Sequence, residues 1–162
     1  MLPLLILIAS FAILIILRRI MKNISVNFAG RMAFALMFIF TGTSHFYLTE
    51  GMIMTMPHFV PLPRLTVYLT GVIEIVFALM LIIGLYRRPV SALIICFLLA
   101  VLPSNIYAAI HQIDLRNATY NGPGLSYLFF RIPLQLLFIV WIYVFCIKGA
   151  GNKTKHLAEP VA

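Results

Sequence analysis

Leu65 to Tyr86 (LTVYLTGVIEIVFALMLIIGLY) contains one charged side chain, Glu74, and runs directly into Arg87 and Arg88. A helix needs about 20 largely apolar residues to cross the hydrocarbon core of a bilayer, and this run supplies them. In hydrocarbon every backbone polar group must be satisfied within the chain, so such a segment has helix as its only viable spanning form. Four more apolar segments obey the same rule: Met1 to Leu17, about Met32 to Thr49, Pro89 to Ile110, and about Ser126 to Ile147. The first two are short, and flanking arginines extend spans of that kind by snorkelling. Charged residues make up 10% of the chain and hydrophobic ones 63%. Soluble domains carry roughly 25% charged residues, so the expected solvent is lipid.

The net charge of +8 does not indicate nucleic acid. Nucleic-acid binders cluster Lys and Arg on a solvated face, whereas these sit at the ends of apolar segments, where they orient a membrane protein. Arg18, Arg19, Lys22, Arg31, Arg87, Arg88, Lys148, Lys153 and Lys155 fall on one side of the alternating spans; Arg64 and Arg116 fall on the other, beside Glu50 and Asp114. The bias predicts five spans with the N-terminus outside and the C-terminus inside. Met1 to Leu17 has its positive charge after the apolar core and no A-x-A site beyond it, so it reads as an uncleaved helix and not a secretory signal. Tyr47, Tyr68, Tyr107, Tyr120 and Tyr127 are expected in an outer aromatic belt, with Tyr86, Trp141 and Tyr143 toward the inner side.

Two outer connections are unusual. Thr49 to Arg64 (TEGMIMTMPHFVPLPR) is too apolar for a solvated loop and too short to span, so it is expected along the interface or folded back over the bundle. Ile113 to Leu125 is polar and holds the turn signal NGPG. Residues 148–162 read as a basic disordered tail. Cys96 and Cys146 lie far apart in apolar segments without a C-x-x-C pair, and read as small core hydrophobes.

Polar side chains inside spanning helices are rare and face one another or a cavity. Glu74 is about nine residues from the outer end of its helix, roughly 13 Å at 1.5 Å per residue. His45, Asn105 (beside Ser104) and Arg131 fall about four to five residues from the outer ends of three other helices, so all four groups belong to the outer half, and Gln135 is one turn below Arg131. The inner halves read as almost purely apolar. Since a lone carboxylate and a lone guanidinium are both disfavoured in hydrocarbon, Arg131 is the expected partner of Glu74, with His45 or Asn105 on the remaining oxygens. Gly71 permits close helix approach. Pro103 frees the Leu99 carbonyl and kinks its helix. Pro133 either kinks the fifth helix or opens it at the first helical position, which would leave Arg131 at the interface. Met52, Met54, Met56 and His58 offer soft ligands of the kind Cu(I) takes, although alternating methionines in an apolar segment also serve packing; no metal motif is otherwise present.

The runs TGTSHF (41–46), MTMPHFVPLP (54–63), YLTGVIEI (68–75), LPSNIYAA (102–109) and RIPLQLLFIVW (131–141) resemble the DoxX family of small integral membrane proteins, over about residues 28–147. The resemblance implies an all-α integral membrane protein: a four-helix transmembrane bundle over 28–147, with residues 1–27 as an added N-terminal transmembrane helix and basic connector. The family's matching polar positions are His45, Glu74, Asn105, Arg131 and Gln135. Some relatives are linked to quinone-dependent sulfur oxidation or membrane redox complexes, so the resemblance implies a multi-pass protein of the bacterial inner membrane, associated with a redox partner or with copies of itself. A fold is not an activity, and no motif marks a stand-alone enzyme. Three readings stand open: a redox-associated subunit with a quinone-like site at the polar cluster, a scaffold or assembly partner whose polar core is structural, and a proton-coupled small-molecule transporter.

Overall fold

The computed structural model describes residues 2–21 and 24–150; the tail expected to be disordered lies, beyond residue 150, outside them. Those residues form helices and connecting turns: α1 (Leu2–Ile20), α2 (Val26–Tyr47), the short α3 (Thr49–Met54), α4 (Pro63–Ile83), α5 (Arg87–Ile110) and α6 (Ser126–Ile142). A π-helical turn, Tyr143–Ile147, and a 3-10 turn, Lys148–Ala150, continue α6. Five of the helical segments are long and apolar enough to cross a membrane. The chain is an all-α, multi-pass membrane protein, with α2, α4, α5 and α6 as a bundle and α1 added to it.

The lipid-facing design is visible on α4. Leu65, Leu69, Val72, Val76, Leu79 and Ile83 are exposed, at alternating steps of four and three residues. Val67, Gly71, Glu74, Ala78 and Leu81 form the opposite, buried stripe. An apolar stripe of that size turned outward is what a bilayer, and not water, accepts. The helices alternate in direction. One end of the bundle, the basic end, holds Arg18, Arg31, Arg87 and Arg88. The other, the loop end, holds α3 and the loop of residues 111–125.

Local chemistry sets the boundaries. α2 begins at Val26, a turn and a half earlier than its apolar content suggests, because the Ser25 hydroxyl caps it by accepting from the Phe28 N–H at 3.1 Å. Arg31 is therefore inside the helix and not a flank before it. Gly84, at φ 78, ends α4 in the left-handed conformation that glycine adopts without strain, and α5 starts three residues later. Pro103 and Pro133 both lie within helices. Of the two readings of Pro133, the longer helix holds, and Arg131 belongs to it.

The segment after α2 folds back over the bundle. Thr49, Gly51 and Thr55 are buried, and Gly51 packs against the Leu115 backbone, so the α3 segment and the 111–125 loop close over each other. The surface pair Glu50–Arg64, 2.5 Å apart, joins α3 to the start of α4. The apolar core occupies the middle and basic half, around Phe34, Met37, Leu81, Ile94, Phe138 and Ile142. Leu7 of α1 is fully buried in it, and Phe11 meets Trp141 edge-on at 4.9 Å.

Two expectations need correction. Cys146 is buried, but Cys96 is on the exposed side of α5, because its position on that helix turns it outward, away from the core. The basic half is not purely apolar either: Arg31 and Ser91 are buried there, and the Trp141 Nε1–H donates to the Gly30 carbonyl at 2.9 Å.

Candidate functional site

The closest helix contact is where α2 crosses α4. A Cβ added at Gly42 would lie 2.9 Å from the Gly71 carbonyl oxygen, and one added at Gly71 would lie 2.7 Å from the His45 Cβ. Two glycines one layer apart let the backbones touch. That approach brings His45 of α2 to Glu74 of α4, with Nε2 and Oε1 3.6 Å apart.

The histidine is anchored from its other side. Nδ1 is 3.0 Å from the Val67 carbonyl oxygen, which can only accept, so Nδ1 holds a hydrogen. Thr70, one turn before Glu74, places its hydroxyl 3.2 Å from the same nitrogen and donates to the Thr66 and Val67 carbonyls. Nε2 therefore faces Oε1 either as an acceptor or, in the imidazolium, as a donor. Two lone pairs would repel, so attraction requires one proton on the pair: imidazolium with carboxylate, or imidazole with carboxylic acid. The other carboxylate oxygen, Oε2, is buried and has no hydrogen-bond partner among the described residues.

Arg131 does not pair with Glu74. Its Nε–H donates to Asn105 Oδ1 at 3.3 Å, Asn105 Nδ2 donates to Gln135 Oε1 at 3.4 Å, and Gln135 Nε2 donates to the Leu98 carbonyl. α2 and α4 approach through glycines and bring their own polar groups together, whereas Arg131 shares the α5–α6 seam with Asn105. Gln135 thus donates to the neighbour of the Leu99 carbonyl, the one that Pro103 leaves without its helical donor. The result is two polar walls, His45–Glu74 on α2 and α4 and Arg131–Asn105–Gln135 on α5 and α6.

Between the walls are two adjoining cavities of about 370 and 480 Å³, both lined by His45, Glu74, Asn105 and Arg131. The first reaches under α3 and the 111–125 loop, where Arg116 and Tyr127 join its lining. The second extends along α2 past Phe40 and Ser44 to Leu2 and Pro3 of α1, toward exposed positions on the lipid face, with Gln135 and Phe138 at its floor. The chamber thus has an approach from the loop end and another from the side.

The five polar positions singled out in the sequence all line this chamber, but in two groups. The methionine–histidine segment divides: Met52 and Met56 line the first cavity, while His58 Nε2 pairs with the Tyr107 hydroxyl at 3.0 Å outside it. Met56 accepts from the Ser104 hydroxyl at 3.8 Å. No group of three or more His, Cys, Asp or Glu side chains that could hold a metal occurs among the described residues. Thr70, Arg116 and Tyr127 were not expected. Only Thr70 had a sequence signal, one helical turn from Glu74.

Residues 34–146 match a family described as a domain of unknown function, DUF8561. The chain belongs to that family. No curated protein and no solved structure matches it. The DUF8561 span contains the crossing glycines, both polar walls and all of the chamber lining except Leu2 and Pro3, and leaves out α1 and Arg31. Within the domain, then, the α2–α4 crossing and the α5–α6 seam together build the site.

Proposed function

We propose that the loop-end chamber binds a small amphipathic molecule with a carbonyl-bearing head and an apolar tail, of the quinone type, and that the chain serves as the binding subunit beside a membrane redox partner. The observation that supports this reading is the buried, unpartnered Oε2 of Glu74 across the chamber from Arg131. Arg131 supplies only donors, which suit a carbonyl oxygen. Oε2 of the carboxylate is an acceptor, which suits a hydroxyl. A head that gains or loses a hydroxyl proton suits both walls, while Phe38, Phe40 and Phe138 line a path for a ring or tail. The motif resemblance to DoxX proteins adds weight to a redox setting.

The test is titration of the purified protein with soluble ubiquinone and menaquinone analogues. Glu74→Gln and Arg131→Ala are each expected to weaken binding by about tenfold or more, the worth of one charge-assisted hydrogen bond. Affinity indifferent to both substitutions would sink the proposal. A structural reading has its own support, because Asn105 and Gln135 tie α5 to α6; it requires that Glu74→Gln lower folded yield and alter no affinity.

The positive-inside bias supports a bacterial inner-membrane protein with its basic end in the cytoplasm. A cysteine placed at Tyr120 should react with an impermeant maleimide in spheroplasts while one at Arg88 should not; the opposite pattern reverses the orientation.

A further inference from the structure

The basic end holds a second polar cluster, independent of the loop-end chamber. Arg31 is the buried arginine among the described residues, 6% exposed, and its Nε has no acceptor there. Its guanidinium lies over the Phe28 ring, 5.4 Å from the centroid. A Cβ built on Gly84 would lie 2.7 Å from Arg31 Nη1 and 3.3 Å from Arg87 Nη2, so two guanidinium groups bracket one spot at the α4–α5 corner. Arg87 is also the first residue of α5, whose leading N–H groups lack helical acceptors and add positive potential. The Ser91 hydroxyl, one turn along α5 and fully buried beside Cys146, meets no hydrogen-bond partner among the described residues.

Like charges brought together in a low-dielectric setting need an anion. The chain has four acidic residues. Glu50, Glu74 and Asp114 belong to the loop half, and Glu159 lies outside the described residues. We infer that Arg31 and Arg87 form a site for the phosphate of an anionic lipid headgroup. Arginine's planar fork suits phosphate oxygens. Arg31 is five residues into α2, about 8 Å at 1.5 Å per residue, within headgroup reach. Ile82, Ile83 and Leu85, all exposed next to Gly84, give an acyl chain a surface to lie on, which a free phosphate ion would not use. Basic pockets between helices recognise lipid headgroups by the same chemistry.

Native mass spectrometry of the full chain, with phosphatidylglycerol and phosphatidylcholine as probes, tests the site. Phosphatidylglycerol should be retained in preference, and Arg31→Gln and Arg87→Gln should each weaken its retention by about tenfold. Arg18→Gln, at an exposed position on the same end, should leave it unchanged. Because Arg31→Gln can impair folding, Arg31→Lys, which keeps the charge and loses the fork, and the half-buried Arg87 keep the test decisive. Equal losses in all the variants would mean diffuse surface charge and overturn the site. Inorganic phosphate that displaces the lipid completely would overturn the lipid assignment. Tighter binding in Glu159→Gln would assign the cluster to the chain's own tail, again overturning it.

Discussion

At the scale of single residues, the decisive feature is a carboxylate tied on one side only. His45 is held by the Val67 carbonyl, Glu74 by His45, and Oε2 by no described residue. Removing one partner of such a pair costs more than removing both, because the survivor stays buried and unpaired. His45→Ala is therefore expected to lower stability by about 1–3 kcal/mol. Adding Glu74→Leu to it should restore part of that loss, as read by thermal unfolding in detergent; strictly additive losses would mean that the two residues do not act as a pair. These positions were legible in the sequence because a polar group inside an apolar run is conspicuous. Their partners were not, since pairing depends on how each helix is rotated, and the apolar stripes tolerate several rotations. Arg31 was missed for a different reason: a basic residue before an apolar run reads as a snorkelling flank, and only the Ser25 cap places it inside the helix.

At the scale of elements, the α2–α4 crossing sets the geometry of the site. Gly42→Ala would drive a methyl group against Ile75 and the Gly71 carbonyl, with little room for either to give. The expected cost is about 1–3 kcal/mol, with His45 moved away from Glu74, so melting temperature and quinone-analogue affinity should fall together. A variant that binds normally would show that the close approach does not position the site. The 111–125 loop has its own lock. The Asp114 carboxyl is held below the usual carboxylate range, first by the Arg116 backbone N–H and then by the Asn117 side chain. With the folded value depressed, its stabilising contribution is complete above the ordinary aspartate value of about 4 and is lost as pH falls through the lower, folded one. Asp114→Asn should thus speed amide exchange of residues 114–119 at neutral pH and make little difference in strong acid. The spans themselves were legible from apolar length alone, and the NGPG turn from its residues. The α3 helix was not, because six residues are too few to leave a periodic pattern to read.

At the scale of the whole molecule, α1 stands apart from the other spans. It lies outside the family match and buries one residue fully, Leu7, while most of its large side chains face outward. It runs along α2, with Leu4, Ile6 and Phe11 packed against the core, and near the basic end Phe11 meets Trp141 and Phe145, 4.9 and 5.4 Å between ring centroids. At the opposite end Leu2 and Pro3 help to wall the lateral cavity. A helix this exposed in lipid, where apolar side chains gain little from burial against one another, depends on close fit to its neighbours. Combining Leu7→Ala with Phe11→Ala should therefore release α1 while the core of α2, α4, α5 and α6 stays intact. Hydrogen exchange would then show early opening confined to residues 2–20, with α2 and α4 as protected as before. If the lateral cavity is the path by which an amphipathic ligand arrives, the same variant should exchange quinone analogues faster in both directions, with affinity changed far less than either rate. Loss of protection throughout the bundle would mean instead that α1 is part of one cooperative core, and that the four-helix domain does not stand without it.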